Sequence, residues 1–189
     1  MQMDNNQSGY VLRDNLTDIY TQAEFEHTRS DKKINHDVVI RNGVVNSLKP
    51  VEEINGTLGL SDCQIETLSP VKRITGELLC SFHDRKPCLK TLGSLQRIEG
   101  NASFRYVLLE DLGELEYVGG DLSLRDTPVE SLGKLAYVGG NLSLPMRLKD
   151  RLDLTSVIVK GKIRYWNDAK APYPENDEEE SSGLQKSDI

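Results

Sequence analysis

Leucine, valine and isoleucine return along this chain at fixed offsets. The clearest form is Leu-x-x-Val-x-x-Ile-x-Gly-x-Leu-x-Leu, then a short turn, an aliphatic residue and the next leading leucine. Leading leucines stand at Leu48, Leu68, Leu92, Leu112 and Leu132, with glycines at Gly56, Gly76, Gly100, Gly120 and Gly140. The spacings are 20, 24, 20 and 20 residues. Between Leu112 and Leu144 two copies, LGELEYVGGDLSL and LGKLAYVGGNLSL, agree at ten of thirteen positions. A unit of 20 residues cannot enclose a core alone. Such units become stable by stacking, each coil burying its apolar edge against the next.

Gly-x-Leu-x-Leu alternates with period two, which predicts a short strand with its leucines inward. The glycine before it permits a tight bend or a close approach to the neighbouring coil. Leu-x-x-Val-x-x-Ile has spacing three and predicts an irregular or 3₁₀-like return. The predicted fold is mainly β: a right-handed parallel β-solenoid of about six coils over residues 34–166. Its last coil is degenerate, ending in Gly161, Ile163 and Tyr165. Residues 1–33 are expected to hold an N-terminal segment and a capping helix. Within them Leu16, Ile19, Tyr20 and Ala23 follow helical spacing between Asp14 and His27, with Asp14 or Asn15 as the cap. Terminal coils need such atypical ends to avoid exposing the core.

Charge adds a second division. The chain carries a formal −7, and the span from Asn167 to Ile189 holds seven acids and two bases, or −5 of it. Residues 167–189 have two prolines, an acidic block and no periodicity, so disorder and dispensability for folding are the expectation. The nearly neutral remainder has no basic stripe for a phosphate backbone, which argues against a nucleic-acid partner. No run of about 18 apolar residues exists, so no membrane partner is expected. The polar start, MQMDNNQSGYVLRDN, has no leader pattern, and a cytoplasmic location is the expectation. Three cysteines are too few for a disulfide scaffold.

The repeat, with Ile-x-Gly-x-Leu-x-Leu following Leu-x-x-Val, resembles the leucine-rich repeat superfamily. It is most similar to the receptor L-domain type and to Gly-Gly repeat β-solenoids of bacteria and phages. The resemblance spans roughly residues 34–166 and implies a protein-binding or ligand-binding solenoid without a fixed partner. Ordinary leucine-rich repeats hold an asparagine ladder at their turns. The equivalent positions here hold Cys63, Val107 and Thr127, a departure that bears on horseshoe curvature.

Outward strand positions form three columns along the stack. One is Thr57, Glu77, Asn101, Asp121 and Asn141; the next is Gly59, Leu79, Ser103, Ser123 and Ser143; the third is Ser61, Ser81, Arg105, Arg125 and Pro145. They suggest a flat docking face of small side chains, rimmed by Arg105, Tyr106, Arg125 and Asp126. On the return segments Glu52-Glu53, Lys72-Arg73 and Gln96-Arg97 are placed to pair across coils. The four-residue insertion lies between Cys80 and Cys88, within SFHDRKP, and adds His83, Asp84 and Arg85 to the candidate partner-binding residues.

Chemistry is sparser. Cys63, Cys80, His83 and Cys88 are zinc-ligand types without the close paired spacing of dependable zinc motifs. Cys80 sits at an inward leucine position, where a buried thiol is the plain expectation. Cys88 with His83 and Asp84 has nucleophile, base and acid types, but sequence proximity does not establish geometry. The Gly119-Gly120 and Gly139-Gly140 pairs recur with the repeat and lack the lysine and helix of a phosphate loop. The expected function is therefore a non-enzymatic protein-binding scaffold without catalytic residues, metal or cofactor. An intracellular inhibitor, an immunity protein or a phage-encoded antagonist of a host protein are the roles that fit. The alternatives are a structural or self-assembling subunit, with the sheet face forming a homo-oligomer, and a small metal-binding or hydrolytic protein using the Cys80–Cys88 loop.

Overall fold

The computed structural model describes residues 17–167, except 20, 29, 42, 43 and 83–88. The chain winds into a parallel β-solenoid of about seven coils with very little helix. Each full coil contributes one strand to each of two sheets. The first sheet is built from β1 (Thr17–Ile19), β3 (Val38–Arg41), β5 (Leu58–Ser61), β7 (Leu78–Ser81), β9 (Ala102–Arg105), β11 (Leu122–Ser123), β13 (Leu142–Pro145) and β15 (Ile163–Trp166), in that order. The second holds β2 (Lys33–Ile34), β4 (Glu53–Ile54), β6 (Arg73–Ile74), β8 (Arg97–Ile98), β10 (Tyr117–Val118), β12 (Tyr137–Val138) and β14 (Ile158–Val159). Among the described residues no helix is long and apolar enough to cross a membrane.

Strand register follows the repeat. Leu58 lies opposite Leu78, Leu78 opposite Ala102, Ala102 opposite Leu122, and Leu122 opposite Leu142. The offsets are 20, 24, 20 and 20 residues, so the ladder keeps its register across the four extra residues. Inward residues of both sheets form continuous rows. Leu122, Leu124, Leu142 and Leu144 are fully buried, as the alternation predicts. So are Ile34, Ile54, Ile74, Ile98, Val118 and Val138 of the second sheet. One coil trades volume between positions: Ala102 occupies a leucine site while Phe104 occupies the next, opposite Cys80. The small Cys80 side chain leaves room for the ring, which is why a buried thiol sits in a leucine column.

The start of the chain departs from the predicted capping helix at residues 14–27. Thr17–Ile19 is a strand that pairs with β3, and Ile19 is buried in the stack. The helix, α1, spans only Gln22–Thr28. Its cap is Thr21, not Asp14 or Asn15: the Glu24 backbone N–H donates to Thr21 Oγ1 at 3.2 Å and the Thr21 N–H donates to Glu24 Oε2 at 2.8 Å. This reciprocal capping box is written in the sequence as Thr-x-x-Glu. Pairing of Thr17–Ile19 satisfies backbone groups along the edge of β3, which outweighs weak helical spacing.

The first outward column is a hydrogen-bonded ladder between coils. The Thr57 N–H donates to Asp37 Oδ1 at 2.6 Å, and the Glu77 N–H to Thr57 Oγ1 at 3.3 Å. Asn101 Nδ2 donates to Glu77 Oε1 at 2.7 Å. The Asp121 N–H then donates to Asn101 Oδ1 at 2.8 Å, the Asn141 N–H to Asp121 Oδ1 at 2.6 Å, and the Lys162 N–H to Asn141 Oδ1 at 3.0 Å. A polar ladder therefore exists, displaced from the turn to the residue before each strand. The turn positions Cys63, Val107 and Thr127 are instead buried.

A second set of caps turns each coil at the residue before its leading leucine. Ser47, Thr67, Thr91, Asp111, Ser131 and Asp153 each accept from the backbone N–H two residues on, at 2.7–3.2 Å. These are the Asx and Ser/Thr turns expected of such residues.

Candidate binding surface

Four of the predicted partner residues, Arg105, Tyr106, Arg125 and Asp126, fall at one corner of the coil, where the first sheet ends. Ser81 is in register with Arg105. His83, Asp84 and Arg85 lie outside the described residues. Arg105 is exposed, and its guanidinium carbon lies 5.8 Å from the centre of the Tyr106 ring. Tyr106 is half-buried and holds a left-handed backbone at φ 54°. The same place after β5 is taken by Asp62 at φ 48°, and after β11 by Asp126 at φ 57°. Aspartate tolerates that conformation because its short side chain bonds locally, whereas a bulky aromatic there is an outlier. The corner thus carries a strained aromatic where the following coil and the coil two before it use aspartate; the coil between them holds Phe82, which avoids the left-handed backbone.

Arg125 has a different environment. Its guanidinium lies 3.9 Å from the centre of the Trp166 ring, and Pro145, in register with Trp166, is buried in the row between them. An arginine stacked on tryptophan contributes cation–π attraction and covers apolar surface with its stem. Arg125 is therefore partly a packing residue of the last two coils, while Arg105 is exposed beside the Tyr106 ring. Asp126 is half-buried in its turn.

The middle column is not uniform. Val39 and Leu79 flank Gly59, whose Cβ position would lie 2.8 Å from a Val39 methyl. Ser103, Ser123 and Ser143 continue it, all half-buried. The flat stripe of small side chains is thus confined to the C-terminal half of the sheet.

A second ordered surface lies on the outward row of the second sheet. Arg97 sits 3.5 Å from the centre of the Tyr117 ring, and Tyr117 stacks on Tyr137 at 4.8 Å with planes 4° apart. Register puts exposed Ile158 next in the row. Toward the other end the row becomes ionic. Glu99 accepts from Arg97 at 2.7 Å and Arg73 at 3.0 Å, while Glu53 meets Arg73 at 3.2 Å and Lys33 at 2.7 Å. Beside it Glu52 pairs with Lys32 at 2.5 Å and Lys72 at 2.8 Å, the cross-coil pairing that the charge columns predict. The sequence signal for the stack was the recurrence of tyrosine at one repeat position, twenty residues apart.

These pairs give the fold an acid-sensitive component. Hydrogen bonds from Lys32, then Lys72, hold Glu52 down to about 2, and Lys33 and Arg97 lower Glu53 and Glu99. The folded state then resists protonation more than the unfolded chain does. Stability from these groups is complete above about pH 4.5 and is lost as pH falls toward about 2. Thermal unfolding across this window should show that decline, and Glu52→Gln should flatten part of it. Because the pairs are largely exposed, high salt should reduce the effect.

The cysteine chemistry loses its accessible partner on one side. Cys63 and Cys80 are both buried. Burial pushes the Cys80 thiol well above its ordinary value, with Cys63 adding to it. Cys80 is thus an inert core thiol rather than a ready thiolate ligand. His83 and Cys88 lie outside the described residues, and among the described residues no three His, Cys, Asp or Glu side chains cluster to hold a metal. No family model matches the chain, and comparison with curated proteins and with solved structures gives no match either.

Proposed function

We propose that this protein is a non-enzymatic scaffold of the leucine-rich repeat type, which binds another protein through the corner at Arg105 and Tyr106. Tyr106 carries the reading. A side chain kept in a costly backbone conformation, where Asp62 and Asp126 show the easier solution, points to selection for something other than folding. It stands beside an exposed arginine and on the coil next to the insertion. Tyrosine and arginine are the residue types that dominate interface energetics. Parallel sheets present a rigid platform, so such a surface needs little ordering on binding. An inhibitor, an immunity protein or a phage-encoded antagonist of a host protein acts in this manner. A cytoplasmic setting accords with a chain of three cysteines, too few for a disulfide scaffold.

Two variants test the surface. Tyr106→Asp installs the residue that holds the same backbone at Asp62 and Asp126, so its stability should hold or rise by up to about 1 kcal/mol. Arg105→Glu reverses the charge of an exposed side chain whose neighbour is the Tyr106 ring. Arg125→Glu is a poorer probe, since it also removes the stack on Trp166. Both chosen variants should lose a protein that the wild-type chain retains from a native lysate, compared by affinity capture and mass spectrometry. Identical retained proteins in all three samples would remove this corner, and the Arg97, Tyr117 and Tyr137 row would replace it.

A further inference from the structure

Arginines at the outward strand positions fall into two groups. Arg41 pairs with Asp18 at 2.9 Å, Arg73 with Glu53 at 3.2 Å and Glu99 at 3.0 Å, and Arg97 with Glu99 at 2.7 Å. Arg105, Arg125 and Arg164 form no ion pair among the described residues. Two acids of the coil that holds Arg125 are engaged elsewhere. Glu130 accepts from Arg147 at 3.1 Å, and Asp121 accepts from the Asn141 N–H at 2.6 Å. The chain as a whole carries a formal −7, so three unpaired arginines on one face do not follow from a general excess of base.

Register places the three together. Arg105 and Arg125 hold the same repeat position on adjacent coils, whose strands pair through Ser103 and Ser123, about 4.8 Å apart. Arg164 ends the column of Ser123 and Ser143, two coils or about 10 Å beyond the coil of Arg125. Like charges opposite one another on paired strands cost stability. Trp166, 39% exposed, lies 3.9 Å from the Arg125 guanidinium, and Arg125 Nε is buried with no hydrogen-bond partner. One edge of a permanent cation is thus out of water and uncompensated. An anion at its remaining edge meets a charge that water screens less, which strengthens charge-assisted hydrogen bonds.

We propose, resting on the corner at Arg105 and Tyr106 as the protein-binding surface, that the bound protein presents an acidic segment whose carboxylates meet Arg105, Arg125 and Arg164. Guanidinium forks match carboxylates with two parallel hydrogen bonds, and charge complementarity fixes the register of the segment along the stack. Three cations within a few coils suit a short acidic segment. A phosphate backbone needs a longer basic track, and exposed Asp121 interrupts this one. A second copy docked face to face would oppose two sets of arginines.

Trp166, the only tryptophan, reports on this surface through its contact with Arg125. The measurement is Trp166 emission of the full chain, titrated with a blocked peptide of glutamate alternating with glycine. The control peptide carries glutamine for each glutamate. A saturable change with the glutamate peptide alone is expected, weakened about tenfold or more as salt rises from about 0.01 M to about 1 M. R105Q and R164Q leave the Arg125–Trp166 pair in place, and each should weaken the titration about two- to fivefold at unchanged circular dichroism. Equal response to both peptides, salt-independent binding, or wild-type affinity in R105Q/R164Q would overturn the proposal. A thymidine oligonucleotide that binds more tightly than the glutamate peptide would overturn it in favour of phosphate, and doubled mass by light scattering without peptide would put a second copy there. A lysate protein lost from Tyr106→Asp but retained by R164Q and at about 1 M salt would keep the binding surface and remove the acidic segment. Should a variant misfold, the wild-type comparison of the two peptides and its salt series still decide.

Discussion

Leu122→Ala is expected to destabilise the protein by about 2–5 kcal/mol, the cost of emptying a fully buried leucine site. Leu122 is completely buried, with Ala102 opposite it on one side and Leu142 on the other. Backbone ladders on both sides hold the coil spacing near 4.8 Å, so the neighbours cannot close in on the cavity. Ala102 is already small, and two alanines side by side would leave a void spanning two coils. At roughly 2–4 °C per kcal/mol for a chain of this size, the midpoint of thermal unfolding should fall by roughly 4–20 °C. Leu152→Ala in the half-covered last coil should cost clearly less. Equal losses at the two sites, measured by denaturant unfolding, would contradict a stack whose interior coils carry most of the packing.

Gly139→Ala is the second large effect, and it acts through the backbone rather than the core. A Cβ at Gly139 would stand 2.0 Å from the Gly119 carbonyl oxygen of the preceding coil. That oxygen belongs to the main chain and cannot rotate away as a side chain would. The coils would have to part locally, stretching the hydrogen bond from the Gly140 N–H to Gly120 O, now 2.9 Å. Overpacking of this kind costs about 1–3 kcal/mol or more. Gly133→Ala separates this effect from backbone preference. Gly133 has φ +55°, but its nearest contact would be 3.7 Å away, so only the conformational cost of about 1–2 kcal/mol applies. Gly139→Ala should therefore be the more destabilised of the two by chemical denaturation. The reverse order would mean that the coils separate easily at this corner.

Much of this architecture was legible because the repeat writes each contact several times over. Leu122 and Leu142 occupy one position of the unit, and that identity implied both their burial and their parallel register. The 24-residue spacing likewise located the insertion before Cys88. Charges at Glu52 and Lys72, twenty residues apart, announced their pairing by the same logic. Elements outside the repeat were harder. Ile19 and Ala23 suited a helix by spacing, yet Thr17–Ile19 became a strand because the open edge of β3 could bond its backbone. The column from Thr57 to Asn141 read as an exposed face. Its members were correctly grouped, but nothing local says that a side chain will accept from the next coil's N–H.

The surface divides along the same line. Arg105, Tyr106, Arg125 and Asp126 were grouped by strand alternation, and the stack does bring them to one corner. Their differences came from three-dimensional context. Arg125 meets Trp166, forty-one positions later, only because the coils stack and leave a single row, that of Pro145, between them. The left-handed backbone of Tyr106 is dictated by where its coil must turn, and tyrosine has no local preference for it. By itself, then, the sequence determined the period, the inward rows and the coil-to-coil register, since these are local patterns repeated at a constant offset. Tertiary structure alone decided which outward side chains are bound into ladders, which arginine stacks on tryptophan and which on tyrosine. Those depend on what the neighbouring coil, or its absence, places within contact distance.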